Sequence, residues 1–227
     1  MKLHRVAITG LGCMTSLGNS LEETWNNVIK GQSGIKKINH LELPNISTKI
    51  GSFIEEYSLC ESLLKPTELK RFDRFIHFGL KSAHEAMKDA GLLDDFVYPS
   101  NRMGCILGVG MGGFPVTEKA ALDWAEKDKK KVSPFLITGI IPNMATGLIS
   151  IKLGLQGPNY TVSSACASSS HALSAASYEV MSGRQDVVIS GGTEGVVSDI
   201  CLGAFSSMRA LSKRNDCLLY TSPSPRD

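Results

Sequence analysis

The sequence predicts an α/β protein built on a largely parallel sheet. Three observations carry this. Four short β-rich runs punctuate the chain, and most of them end in glycine. Stretches with apolar residues at three- and four-residue spacing separate them. Residues 160–192 read strand, sharp turn, helix, strand, which is a βαβ unit of the usual length. Alternation of this kind is the pattern of a parallel sheet with helices packed on it.

Each element has a local reason. Arg5–Gly12 (RVAITGLG) is a β-branched run closed by glycines and reads as a buried strand. Ser20 stands before Leu21–Lys30, with Glu23 three residues later, so a capping box opens a helix there. Residues Gly31–Ile54 read as loop with short strands. Pro66–Ala90 opens with proline at a first-turn position and stops before Gly91. Leu69, Phe72, Ile76, Leu80, Ala83 and Met87 share one face of that segment, which predicts a single long amphipathic helix. Arg102–Gly108 is a second strand. Pro115–Lys131 reads as a helix that turns very polar towards its end. Pro142–Leu153 is a helix followed by a GLQGP turn, and Tyr160–Ala165 is a third strand. Ala167–Met181 is a helix, and Asp186–Ser190 is a fourth strand closed by Gly191 and Gly192.

Composition narrows the class. The chain has 227 residues, of which 42% are hydrophobic and 20% charged, enough for a sizeable core. Twenty-four basic against 22 acidic residues leave +2, too near neutral for a nucleic-acid binder. The apolar run at the start spans only Val6–Ile8, shorter than the ~7–15 residues of a signal peptide. No stretch approaches the ~18 apolar residues of a membrane span. The six cysteines are widely spaced, with no CxxC pair and no Cys/His cluster, so neither a disulfide framework nor a zinc site is expected. A cytoplasmic protein with reduced thiols is the expectation.

Cys166 is the residue with the clearest chemical possibility. It lies where the third strand gives way to a helix, and thirteen of the fifteen residues Ser163–Ser177 are Ala, Ser or Cys. So small a helix suits a buried central position. A sulfur at a helix N-terminus meets the positive end of the dipole, which favours its anionic form. The strand-to-helix turn is also the setting of the nucleophile elbow. Two readings stand: a nucleophile, or a buried structural thiol. His171 lies five residues on, about 140° around the helix from Cys166, and reads as a satisfied core histidine rather than a partner base. Gly108–Gly113 (GVGMGG) fits the GxGxxG dinucleotide fingerprint after a strand. The loop is not followed by a clear acidic residue at a strand end about 20 residues on; Asp123 sits in a helical, polar stretch, and Pro115 restricts the helix start. The alternative is a tight loop lining a pocket or carrying the chain over the sheet.

At these residues the chain resembles the N-terminal half of a β-ketoacyl-acyl-carrier-protein synthase, most closely the synthase II type. The matching segments run in order: RVAITGLGCMTSLG at the start, GQSGI at 31–35, LGVGMGG at 107–113, and SPFLITGIIPNMATGLISIKLGLQGPNYTVSSACASSSHAL at 133–173. VVISGGTEG at 187–195 and GAFSSMRALSKRND at 203–216 complete them. The resemblance implies a thiolase-like fold, whose intact form stacks two similar βα halves in five layers, with only the first half present here.

It also implies a chemistry. The family's cysteine, matched by Cys166, takes an acyl group from acyl carrier protein as a thioester. A malonyl-carrier protein then loses CO₂ and attacks that thioester, lengthening the chain by two carbons. No metal or other cofactor is implied. Met111 matches a bulky residue gating the acyl pocket. Phe205 and Leu136 match further pocket positions, Leu136 across a dimer interface; ordinary core packing is the alternative for all three. Lys70, Arg71, Lys130, Lys131 and Arg209 match a basic patch that receives the acidic carrier protein, against the alternative of solvated surface. Thr67 stands where some relatives carry a further lysine. The intact enzyme is expected to be a homodimer, with neither nucleic acid nor membrane as partner.

The family's second half should supply two histidines, a lysine and a glycine-rich loop with a phenylalanine, and none of these motifs is in the chain. Residues 1–216 therefore read as the N-terminal synthase half of a condensing acyltransferase, inactive in condensation by itself and poorly soluble. Residues 217–227 (CLLYTSPSPRD) match nothing in the family. They read as a disordered tail that looks like adapter read-through. Rival readings are a polyketide ketosynthase, a thiolase, a chain-length factor (which would lack the cysteine), a carrier-protein-docking fragment without turnover, and a nicotinamide-dependent oxidoreductase built on the glycine loop.

Overall fold

The computed structural model describes residues 3–41, 43–59, 63–93, 97–126 and 131–216. Along the chain run α1 (Leu21–Ile29), β1 (Ile35–Lys37), β2 (Ile50–Ser52), α2 (Pro66–Leu69) and α3 (Arg74–Asp89). A 3₁₀ turn at Ser100–Arg102 leads into β3 (Met103–Gly108), followed by α4 (Phe114–Glu126), α5 (Leu136–Ile140) and α6 (Met144–Leu153). Then come β4 (Asn159–Val162), α7 (Ser168–Met181), β5 (Val187–Gly192) and α8 (Asp199–Ser207). The chain divides into two compact units, Met1–Cys13 with Ser58–Gly195, and Met14–Tyr57 with Val196–Asp227.

The larger unit is a three-layer α/β/α arrangement. Its sheet runs β4-β3-β5, all parallel, with Cys105 opposite Asn159 on one side and Ile189 on the other. All six residues of β3 are buried, as befits a strand covered on both faces. The side chains alternate. Met103, Cys105 and Leu107 join Phe75, Ile76, Leu80, Ala83 and Met87 of α3 and Ala145, Leu148, Ile149 and Leu153 of α6 in the main core. Ile106 points the other way, onto Ala172 and Ala176 of α7. Glycine lets that second layer come close: a methyl at Gly108 would overlap the backbone of Ser168 and Ser169, and one at Gly192 would overlap Ser169 Oγ. The small residues of α7 are the other half of the same fit.

The smaller unit pairs β1 with β2 antiparallel and packs Ile38, Leu43, Phe53 and Leu202 together. Its distant segments are tied by polar bonds, Thr48 Oγ1 donating to Ser212 O at 2.7 Å and Lys49 N to Asn215 Oδ1 at 2.7 Å. Ser20 caps α1 as expected, accepting from Glu23 N–H at 3.2 Å, whereas the Glu23 carboxylate turns to Asn19 N–H at 2.7 Å.

Four expectations need correction. Arg5–Gly12 belongs to no strand. His4 N–H reaches Met181 O, Leu11 N–H reaches the Asp89 carboxylate at 2.8 Å and Cys13 N–H that of Glu85 at 2.9 Å. The segment runs against α3, where the missing side chains of Gly10 and Gly12 make room for the helix backbone. The segment 66–90 is two helices rather than one. Asp73 restarts the helix by accepting Phe75 N–H at 3.1 Å, while its own N–H donates to Gly139 O. Helices α5 and α8 appear where none was anticipated. Finally, α7 is buried only along Ser168, Ala172 and Ala176; Leu173 and Tyr178 are exposed, so it is not enclosed on all sides.

Candidate active site

Strand β4 ends at Val162 and α7 begins at Ser168, so five residues must reverse the chain. Ala165 makes the turn in the left-handed region, at φ 50°, a conformation that costs a residue with a Cβ roughly 1 kcal/mol or more. Hydrogen bonds hold it. Ser168 Oγ accepts from Ser164 N–H at 2.8 Å and donates to Ala165 O at 2.7 Å; Ala167 N–H and Ser168 N–H close back on Ser164 O and Ala165 O. Cys166 stands at the tip of this elbow, immediately before the residue that caps α7, with its side chain exposed. It is not a buried structural thiol. The contrast is Cys105 in β3, where burial pushes the thiol up to about 12.

His171 is neither buried nor a core residue. Its ring is exposed, and Nδ1 lies 2.6 Å from Ser164 Oγ. The hydroxyl of the elbow satisfies it, from seven residues back along the chain.

The glycine loop after β3 lies beside the elbow. Ser163 Oγ donates to Gly110 O at 3.2 Å. The loop's amides do not face an open cradle: Glu194, just after β5, accepts Gly110 N–H at 2.9 Å, Met111 N–H at 2.8 Å and Gly112 N–H at 3.1 Å. In a dinucleotide site such amides face a pyrophosphate. Here the protein's own carboxylate takes that place, which overturns the nucleotide reading. On its far side the loop joins α5 through Gly113 N–H to Ile140 O at 2.9 Å.

The loop thus lies between the elbow and α5, the helix that Leu136 opens. Met111 is 40% exposed and Leu136 half-buried at the start of α5. Phe205 sits exposed on α8, in the smaller unit. Lys70 and Arg71 occupy the break between α2 and α3, both exposed, with the Arg71 guanidinium 4.4 Å from the Phe135 ring centroid. Lys131 is exposed, Arg209 is exposed beyond α8 with φ 56°, and Lys130 lies outside the described residues. Among the described residues no group of His, Cys, Asp or Glu is placed to hold a metal, and no helix is long and apolar enough to cross a membrane.

The family model for the β-ketoacyl synthase N-terminal domain matches residues 3–223. The chain belongs to the β-ketoacyl synthase family. It is 36% identical over 212 residues to the 3-oxoacyl-[acyl-carrier-protein] synthase 2 of Staphylococcus aureus strain COL, covering 93% of this chain and 51% of that one. To the synthase 2 of Synechocystis sp. it is 35% identical over 222 residues, covering 98% and 53%. The chain therefore spans about half the length of the curated relatives it matches. A crystal structure of a β-ketoacyl synthase from Burkholderia phymatum superposes with a TM-score of 0.81 at 24% identity over 95% of this chain and 52% of that one. A type II polyketide ketosynthase, in complex with its acyl-carrier protein and bound to a hexaketide, does so with 0.73 at 20% identity over 91% and 55%. The mixed α/β architecture is the thiolase-like fold of these synthases, here in its N-terminal half.

Reasoning from sequence missed Glu194 and the elbow serines. The signal for Glu194 was slight: the acidic residue two positions after the glycines that end β5, with the glycine loop ending the neighbouring strand.

Proposed function

We propose that this β-ketoacyl synthase chain is the acyl-accepting half of an enzyme that condenses acyl- with malonyl-acyl-carrier protein, and that Cys166 is its nucleophile. The observation that carries the reading is the exposed thiol on a hydrogen-bonded, left-handed elbow at the start of α7. The sulfur attacks the acyl thioester carbonyl, the carrier's thiol leaves, and a new thioester forms on Cys166. Backbone N–H groups, that of Cys166 among them, are the proposed donors to the tetrahedral oxyanion. Met111, Leu136 and Phe205 are proposed to line the acyl chain's path, and Lys70, Arg71, Lys130, Lys131 and Arg209 to receive the acidic carrier. A relative solved with an acyl-carrier protein supports that partner. The intact enzyme is proposed to be a cytoplasmic homodimer, in keeping with the edge position of β4.

Residues 1–216 are proposed to form the synthase half and 217–227 a tail, although the family match runs on to residue 223. The decarboxylating histidines implied by the resemblance are proposed to belong to the half of the relatives that this chain does not match. The chain alone should then yield no 3-oxoacyl product from acyl- and malonyl-carrier protein. Acylation is the direct test: radiolabelled acyl-carrier protein should label the chain, and C166A should abolish the label. Equal labelling of the two proteins would remove Cys166 from the mechanism.

A further inference from the structure

Three consecutive amides of the glycine loop converge on one side chain. Gly110 and Met111 N–H donate to Glu194 Oε2, and Gly112 N–H to Oε1, all within 3.1 Å. Successive N–H groups curled this way make an anion-binding concavity. The chain fills it from within, using a carboxylate that the parallel pairing of β3 with β5 delivers to the same end of the sheet.

The loop so held runs against the elbow. Gly110 O accepts from Ser163 Oγ, and a methyl at Gly110 would lie 3.7 Å from Ala165 O, the carbonyl just before Cys166. The same methyl would lie 2.9 Å from Glu194 Oε2, so glycine is required for the carboxylate to come this close. Met111 is the middle residue of the arc. The Glu194 bonds therefore determine where its backbone stands relative to the thiol.

The geometry points to Glu194 as a positioning residue of the Cys166 site: its carboxylate locks the Gly110–Gly112 arc and thereby fixes Met111, so that the position of this loop bears on which acyl chains Cys166 accepts. The selection of acyl chains rests on the acyl-thioester reading above; the lock does not. The Glu194 carboxylate takes its hydrogen bonds from the loop amides, so its effect passes through the loop.

Two measurements on the full chain separate these claims. The first is amide hydrogen exchange over residues 110–112 in wild type, E194Q and E194A. Loss of charge-assisted bonds should speed exchange there by about tenfold or more in E194A, with less change in the core strand β3. Sodium acetate, but not sodium chloride, should restore protection in E194A by refilling the cradle. A generally destabilised protein would show no such rescue. Should E194A fail to fold, the near-isosteric E194Q carries the comparison, because its single acceptor oxygen cannot hold all three amides. Unchanged exchange at 110–112, or a loss that acetate does not reverse, overturns the lock. The second measurement compares acylation of Cys166 by short and long acyl-carrier proteins. E194Q should change the long-to-short rate ratio several-fold, whereas an unchanged ratio with a loosened loop overturns the positioning role. If wild type takes up no acyl group at all, the acylation reading fails while the exchange result still decides the lock.

Discussion

Replacing Gly108 with alanine tests the fit that sets the Cys166 elbow. Gly108 ends β3 beneath the first turn of α7. An added Cβ would come closer than 3.0 Å to Ser168 C, Ser168 O and Ser169 N, all backbone atoms with no rotamer to relieve them. Ordinary carbon contacts begin near 3.5 Å, so strand and helix must part or the first turn of α7 must unwind. Overpacking of this kind costs ~1–3 kcal/mol, and backbone-only overlap belongs at the upper end. Two companions calibrate the effect. At Gly104 the nearest atoms are Pro158 O at 2.9 Å and Pro158 Cδ at 3.2 Å, a milder conflict on the same strand. At Gly147, inside α6, nothing lies within 4 Å, so alanine should stabilise by about 0.5–1 kcal/mol through helix propensity alone. Urea denaturation should therefore rank the midpoints G147A, wild type, G104A and G108A in falling order. In G108A the alkylation rate of Cys166 should change as well, since the residue is carried by the displaced turn. A G108A protein as stable as wild type would refute the claim that small residues on α7 and glycine on β3 are one complementary interface.

Other outcomes follow from groups near this framework. His77 is buried on α3, and burial, with Arg74 adding to it, lowers its pKa to about 4 while it hydrogen-bonds to the Leu69 backbone. Because the folded value lies below the ordinary 6.5, its contribution is complete above pH 6.5. It is lost as pH falls from there towards 4, by on the order of 3 kcal/mol. Denaturation midpoints measured across that window should flatten in H77Q, and an equally steep loss in the variant would exclude His77 as the source. Burial likewise raises the pKa of Asp73, even though its carboxylate accepts Phe75 N–H. At pH 7, D73N should match or exceed wild type in stability, whereas D73A should lose about 1 kcal/mol with the cap. Under native conditions iodoacetamide should modify Cys166 well before Cys105 and Cys201, which are buried. Mass spectrometry showing Cys105 modified first would contradict the packing of β3.

What was legible in the sequence is what local physics decides. β3, β4 and β5 fell within a few residues of their expected places, because short apolar runs closed by turn residues favour strands wherever a neighbouring strand is there to pair with. Ser20 capped its helix, and Gly154, at φ 69°, ended α6 where the pattern stopped. The elbow at Cys166 was likewise readable as a strand-to-helix junction rich in small residues. Arg5–Gly12 shows the limit. Its residues have strand propensity, but a strand needs a partner, and in this structure the segment finds the α3 carboxylates instead. The break before Arg74 was hidden for a related reason. The apolar stripe continues through it, and only the Asp73 carboxylate and the distant Gly139 carbonyl reveal that the helix starts again there.

By itself, then, the sequence determined the α/β class, the order of the main elements and the place of the candidate nucleophile, since propensity, capping and periodicity act over a few residues. Tertiary structure alone decided that His171 meets Ser164, that Cys166 is exposed while Cys105 is sealed, and that the phosphate-like cradle of the glycine loop holds Glu194. The last of these joins residues more than eighty positions apart. A parallel sheet places the ends of β3 and β5 side by side, and no local pattern in either segment records that meeting.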